Sequence, residues 1–167
     1  EIESMLEYED VIGLAEVMDF WGVIRQTRRV TEIVKTGRNR KTILTGHIRR
    51  LGGRELNTYL AAGIDSDHEY LDAEGIFYRS RLGMTVEICC CVARDNIPQV
   101  VEAWRRAGSL DNVVFVTDDI PPQELVVDGH LDRGVRRAIQ LGMHPADAIR
   151  AASLMPARRL RRYDLGQ

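Results

Sequence analysis

Long apolar runs are missing from this sequence. No stretch approaches the roughly 20 consecutive apolar residues of a membrane-spanning helix, which argues against a membrane partner. An excess of one charge is missing too. Lys and Arg number 23 against 25 Asp and Glu, a net charge of −2, and so balanced a chain lacks the basic footprint of a nucleic-acid binder. The first residues carry acids (Glu1, Glu3, Glu7, Glu9) where a signal or transit peptide carries bases. Cysteine is scarce and confined to one place: Cys89, Cys90 and Cys91 are consecutive. Neighbours that close give poor disulfide geometry, so no disulfide framework is expected and a reducing cytoplasm fits best. Glycine-rich phosphate loops are absent after every strand-like run, so the nucleotide-binding form of an α/β sheet lacks its main signal.

What is present is an ordinary globular composition. The 167 residues are 44% apolar and 29% charged, which by length and content predicts one soluble domain. Five β-type runs recur at 11–16 (VIGLAE), 42–47 (TILTGH), 63–68 (GIDSDH), 85–90 (TVEICC) and 112–118 (NVVFVTD), a pitch that suits βαβ units. Helical patterns lie between and after them, at 25–36, 53–62, 71–81, 97–107, 131–140 and 145–152. In the second of these, Leu56, Tyr59 and Leu60 mark one buried helix face. Pro145 suits a first helical position and Gly142 a helix end. Arg158, Arg159, Arg161 and Arg162 read as a solvated helix face. Strands alternating with helices predict an α/β fold with a parallel sheet buried on both faces. The alternatives are an open doubly-wound sheet or a (β/α)8 TIM barrel.

Four of the five runs end in Glu16, His47, His68 and Asp118. In a barrel such ends converge on one mouth, where the chemistry of the fold sits. Singly, each residue has a plainer reading. A strand-end His can be a hydrogen-bonded loop residue, and Glu16 a solvated carboxylate. Asp118 and Asp119, ahead of Ile120-Pro121-Pro122, can cap a helix or shape a turn. Together, two imidazoles and two carboxylates suit a divalent transition metal.

The segments GLAEVMDFWGVI (13–24), GHIRRLGGRELNTYLAAGIDSDHE (46–69), TDD (117–119) and DGHLDRGVRRAIQLGMHPADAIRAASLMPA (128–157) resemble the adenine deaminases of the metal-dependent amidohydrolase superfamily. The motifs keep their order over nearly the whole chain from Gly13. The resemblance implies a (β/α)8 barrel with a small flanking β domain. It also implies hydrolysis of adenine, a purine base, to hypoxanthine and ammonia, with a divalent metal pair as cofactor: manganese or iron, with zinc compatible. A homo-oligomer is compatible with it. By the same resemblance Glu16 follows the fourth strand and bridges the metals. His47 and His68, after the fifth and sixth, bind the second metal. Asp118, after the eighth, binds the first metal and accepts a proton from the attacking water. Glu69 and Asp119 lie beside ligands, near the substrate or just behind the metal site. His130 matches the family pattern without an assigned role, and Cys89, where the chain departs from the family, is a candidate substrate contact. The chemistry itself makes a second carboxyl group such as Glu69 useful for protonating the leaving amine. His144 is read as surface.

Deamination makes sense of these residue types. Water must add to an aromatic carbon, and a metal pair lowers its pKa from about 15.7 toward about 7. Ammonia leaves readily only when protonated, which calls for a positioned acid.

The resemblance also exposes departures. A whole barrel needs about 250 residues, and the matching part begins at the fourth strand. Residues 1–167 are therefore expected to be a fragment of a single catalytic barrel domain, strands four to eight with their helices, without the N-terminal strands and the flanking β domain. No His-x-His pair, which in the family follows the first strand, occurs anywhere. An unpaired sheet edge at 11–16 would be an aggregation hazard unless covered. Ile48 and Arg49 stand where the family has Ala-Pro, and Cys89, Cys90, Cys91 and Val92 where it has an Arg-Glu-Gly-Ser-like stretch. Alternation puts Cys89 and Cys91 on one strand face and Cys90 on the other. The cysteines are then either inert buried thiols or an altered pocket. Two further functional readings follow: an amidohydrolase acting on a cyclic amide or N-acyl bond, or a catalytically inactive fragment.

Overall fold

The computed structural model describes residues 1–49 and 51–166. The chain divides into two compact units, Glu1–Asp67 and His68–Gln167. Both are α/β with parallel strand pairing, as the alternating pattern predicts.

The first unit contains α1 (Ile2–Met5), β1 (Gly13–Val17), α2 (Phe20–Ile24), α3 (Arg28–Asn39), β2 (Ile43–Gly46), α4 (Gly53–Ala61) and β3 (Ser66–Asp67). β1 and β2 run parallel, with Gly13 opposite Ile43, Leu14 opposite Leu44 and Val17 opposite Gly46. Between the last two pairs β1 advances three residues while β2 advances two, so the register shift falls at Ala15-Glu16. An extra residue of this kind re-aims the side chains beside it. α3 lies close on β2: a Cβ on Gly37 would sit 2.5 Å from Leu44 Cδ2. α2 is capped by Asp19, whose Oδ1 accepts the Gly22 N–H at 2.8 Å. Of the α4 face predicted to be buried, Leu56 and Tyr59 are wholly buried and Leu60 is half-buried.

The expected helix at 25–36 begins later and runs further, as α3. Gln26 adopts a left-handed backbone (φ 55°) that ends the preceding short helix α2. The expected strand at 63–68 contracts to Ser66–Asp67, because Gly63 (φ 104°) still belongs to the turn after α4.

The second unit contains α5 (Ala73–Arg81), β4 (Thr85–Cys89), α6 (Ile97–Ala107), β5 (Val113–Val116), α7 (Pro122–Val127), α8 (Leu131–Gln140), α9 (Pro145–Ala152) and α10 (Leu154–Arg159). β4 and β5 pair in parallel without a shift, from Val86 opposite Val113 to Cys89 opposite Val116. Val86, Ile88 and Cys90 from one face of β4 join Val113 and Phe115 in a core built with Ile76, Val100 and Ala148 from the helices. α6, α8 and α9 keep their predicted bounds, and Gly142 and Pro145 punctuate α8 and α9 as expected. Pro98 opens α6 and Gly108 (φ 78°) closes it, Gly142 (φ 95°) follows α8, and Pro145 opens α9. His144 is exposed, and its Nδ1 accepts the Ala146 N–H at 3.3 Å as the cap of α9. Arg158, Arg161 and Arg162 are exposed, the last paired with Asp164 at 2.7 Å. Among the described residues no helix is long and apolar enough to cross a membrane.

Candidate metal centre

The centre is assembled at the ends of β1, β2 and β3. Tyr59 of α4 reaches across to β1, and its hydroxyl donates to the Val17 carbonyl at 2.7 Å. The hydroxyl fits there because β2 ends in glycine: a Cβ on Gly46 would lie 2.3 Å from Tyr59 Oη. Burial pushes the Tyr59 phenol well above its ordinary range, with Asp67 and Glu16 adding to the effect. The phenol is therefore a fixed neutral donor. It holds the backbone one residue beyond Glu16.

β2 is tied at its end by β3. Asp67 is wholly buried, and its Oδ1 accepts the Ile48 N–H at 3.0 Å. Ile48 is the residue after His47, so this bond fixes the direction in which the chain leaves β2. The boundary between the two units falls at the Asp67–His68 peptide bond. His68 is the residue directly after β3.

Glu16, His47 and His68 each offer a ligand atom, and the three atoms lie within 4.8 Å of one another. Glu16 is exposed and the two imidazoles are half-buried. One carboxylate oxygen and two imidazole nitrogens so close together form a donor set for a divalent ion with mixed N/O preference. Three of the four residues predicted as metal ligands come together here.

Asp118 is not in that group. It follows β5 in the second unit with a left-handed backbone (φ 54°), and its carboxylate is hydrogen-bonded to the Arg94 guanidinium. The same guanidinium lies 3.9 Å from Glu69. The two residues predicted to handle protons are thus gathered around one arginine. His68 Nδ1 faces Glu87 of β4 at 3.8 Å, with both side chains largely buried.

The residues predicted near the substrate are scattered in environment. Asp119 and His130 are exposed, and the His130 N–H is bonded to Asp132 Oδ1 at 2.8 Å. Cys89 is 2% exposed, and its sulfur donates to the Thr117 carbonyl at 3.3 Å. Cys89 and Cys91 face each other, sulfur to sulfur, at 3.3 Å, while Cys90 turns into the core, as strand alternation predicts. Burial pushes the Cys89 thiol up to about 12 and the Cys90 thiol up to about 11.

Four further residues, Tyr59, Asp67, Glu87 and Arg94, touch the candidate residues or the backbone beside them without being predicted to. Asp67 carried one signal, a second acid beside a ligand His at a strand end. Glu87 carried another, a charged residue between Val86 and Ile88 in an otherwise apolar run. The Tyr59 hydroxyl and Arg94 carried none, because their partners are far away in sequence.

No protein-family model matches the chain. Curated relatives do. The adenine deaminase of Klebsiella pneumoniae (strain 342) is 39% identical over 171 residues, covering 99% of this chain and 28% of that protein. Adenine deaminase 2 of Agrobacterium fabrum is 37% identical over 167 residues, with the same coverage. The adenine deaminase of Methanothrix thermoacetophila is 36% identical over 158 residues, covering 95% of this chain and 28% of its own length. Among solved structures, the β-aspartyl dipeptidase of Fervidobacterium islandicum AW-1 superposes with a TM-score of 0.67 at 15% identity, over 99% of this chain and 52% of that one. An amidohydrolase crystal structure matches with a TM-score of 0.56 at 19% identity, over 82% and 37%. At those identities the structures bear on fold alone, and what they share with this chain is an α/β fold. By sequence, the chain is a homologue of the adenine deaminases over 99% of its length and spans about 28% of the length of those relatives.

Proposed function

We propose that this chain is part of a metal-dependent enzyme that hydrolyses adenine to hypoxanthine and ammonia. In this reading it supplies strands four to eight of a (β/α)8 barrel, with β1 to β5 in that order. The observation that carries the proposal is the convergence of Glu16, His47 and His68 within 4.8 Å, in a chain homologous to adenine deaminases from end to end.

The donor set fits one divalent ion, held by Glu16, His47 and His68. Such an ion, when bound, supplies a Lewis acid that makes water acidic near neutral pH. The chain's own residues do the rest. Asp118 accepts a proton from the attacking water. Glu69, drawn toward the same arginine, delivers a proton to the exocyclic amine so that it departs as ammonia. Arg94 holds the two carboxyl groups close together, so the proton that Asp118 takes from the water can pass to Glu69 and from there to the amine. Mixed imidazole and carboxylate ligation suits manganese, iron or zinc.

A second reading is favoured by one observation, the end of β4. Buried thiols at Cys89 and Cys91 give that part of the mouth an apolar lining. Thiols in place of the family's polar stretch leave fewer side-chain partners for a purine ring, so a different ring or amide substrate is the alternative.

The test is ammonia release by the full-length protein from adenine and from a panel of cyclic amides, with metal content measured on the same preparation. Ammonia from adenine in a metal-loaded sample is expected. Full metal loading with no ammonia from adenine overturns the proposal, and turnover of a cyclic amide in its place establishes the second reading.

A further inference from the structure

Glu87 is an unusual residue for its position. It lies inside β4, between Val86 and Ile88, both wholly buried. Glutamate is depleted in strands, and a carboxylate removed from water costs free energy unless another charge or donor meets it. Its side chain is only 17% exposed. A solvated surface acid would not look like this.

The pleat gives its direction. Val86, Ile88 and Cys90 enter the core beneath the helices. Alternation therefore turns Glu87 to the opposite face of β4, the face it shares with Cys89. On that face its Oε2 stands 3.8 Å from His68 Nδ1, and the His68 side chain is 15% exposed. The separation is too long for a hydrogen bond. It is a close approach of a carboxylate to one particular imidazole nitrogen, in surroundings where water screens little.

The choice of nitrogen has a chemical consequence. A carboxylate beside Nδ1 favours the tautomer with its proton on Nδ1, which leaves the Nε2 lone pair free for a metal ion. Such an outer carboxylate also fixes the ring plane and makes the imidazole a better donor. We propose that Glu87 is a positioning residue for His68, setting its tautomer and ring orientation so that Nε2 is presented to the metal. The inference rests on the metal-centre reading of Glu16, His47 and His68.

The experiment measures zinc affinity of the full-length protein by competition with a chromophoric chelator, for wild type, Glu87→Gln, Glu87→Leu and His68→Ala, with circular dichroism on each. Glu87→Gln keeps the shape and an acceptor oxygen but loses the charge. Its affinity is expected to fall about 10-fold, and that of Glu87→Leu toward 100-fold, the range typical of lost outer-shell partners. His68→Ala should fall at least as far as Glu87→Leu. Wild-type affinity in Glu87→Gln or in a folded Glu87→Leu, with affinity lost in His68→Ala, overturns the role of Glu87 and leaves the metal centre standing. Wild-type affinity in His68→Ala overturns the metal-centre reading itself, and the role of Glu87 with it. If Glu87→Leu does not fold, the isosteric Gln variant decides alone.

Discussion

Asp67 and Ile48 are joined by a buried hydrogen bond: the Asp67 Oδ1 accepts the Ile48 backbone N–H at 3.0 Å, and both residues are fully shielded from water. The acceptor sits next to His68 and the donor next to His47, so a single bond sets the spacing of two candidate metal ligands. Replacing Asp67 by Ala leaves a buried N–H without its partner, at a cost of about 1–3 kcal/mol. Asp67→Ala should therefore lower the denaturant midpoint. It should also weaken zinc binding, although it removes no ligand. Asp67→Asn retains an acceptor oxygen and should lose less of both. Parallel unfolding and metal titrations check this, and an Asp67→Ala protein with unchanged metal affinity would separate the bond from the site.

Tyr59 and Gly46 make a second such pair, where space rather than charge is at stake. Tyr59→Phe removes the bond to the Val17 carbonyl and should cost about 1–2 kcal/mol. Gly46→Ala drives a methyl group to 2.3 Å from the Tyr59 hydroxyl and should cost about 1–3 kcal/mol by overpacking. In the double variant the hydroxyl that creates the worst clash is gone, so the combined loss should be smaller than the two separate losses together, by at least about 0.5 kcal/mol. Part of the cost persists, because the methyl group still meets Ile64 Cγ2 at 2.9 Å and the Ser66 carbonyl at 3.0 Å. Denaturant unfolding of the four proteins measures the coupling.

The sequence displays the candidate ligands more openly than what supports them. Glu16, His47 and His68 are visible because each stands at the end of a strand-like run, and the helices α8 and α9 because Gly142 and Pro145 mark their limits. α2 is missed and α3 is placed three residues early, since the break between them rests on one left-handed residue, Gln26, that no turn motif announces. α7 is hidden by Pro121-Pro122, which reads as a turn although proline is tolerated in a first helical turn. The role of Asp67 is hidden for a different reason. Its partner is a backbone amide 19 residues away, and periodicity says nothing about which amide a buried carboxylate will meet.

The cysteines should behave as unreactive thiols. Burial pushes Cys89 up to about 12 and Cys90 up to about 11, from an ordinary value of 9.0. The thiolate is the reactive form, so at pH 8 a thiol reagent should modify the native protein far more slowly than the unfolded chain. The linkage has a definite sign. A group whose pKa is raised by folding adds stability that is fully present below about pH 9 and is lost as the pH rises through 11 to 12. Unfolding midpoints should therefore decline above pH 9, and replacing Cys89 and Cys90 by Ala should flatten that decline. Rapid labelling of native Cys89 at pH 8 would instead mark an accessible, altered pocket.

Asn96 allows a prediction in which pH reverses a mutational defect. It is buried just before α6, where its Oδ1 accepts the Leu71 N–H at 3.1 Å and its Nδ2 donates to the Leu71 carbonyl at 2.7 Å. Its own N–H is bonded to the Cys89 carbonyl at 2.9 Å. The loop after β4 is thereby locked to the segment that carries His68 and Glu69. Asn96→Asp keeps the acceptor and replaces the donor by an oxygen. At neutral pH that puts a buried carboxylate against a carbonyl, which should cost more than the roughly 1–3 kcal/mol of an unsatisfied neutral group. Protonation restores an O–H that can donate to Leu71, so the folded state raises the pKa of the new carboxyl above its unfolded value near about 4. The stability deficit of Asn96→Asp relative to wild type should then be largest at pH 7 and shrink as the pH falls toward about 4. Asn96→Ala, which has no proton to gain, should show a deficit that does not change with pH. Denaturant midpoints for the three proteins between pH 7 and pH 4 make the comparison, and parallel pH profiles for the Asp and Ala variants would show that the Nδ2 bond to Leu71 contributes nothing.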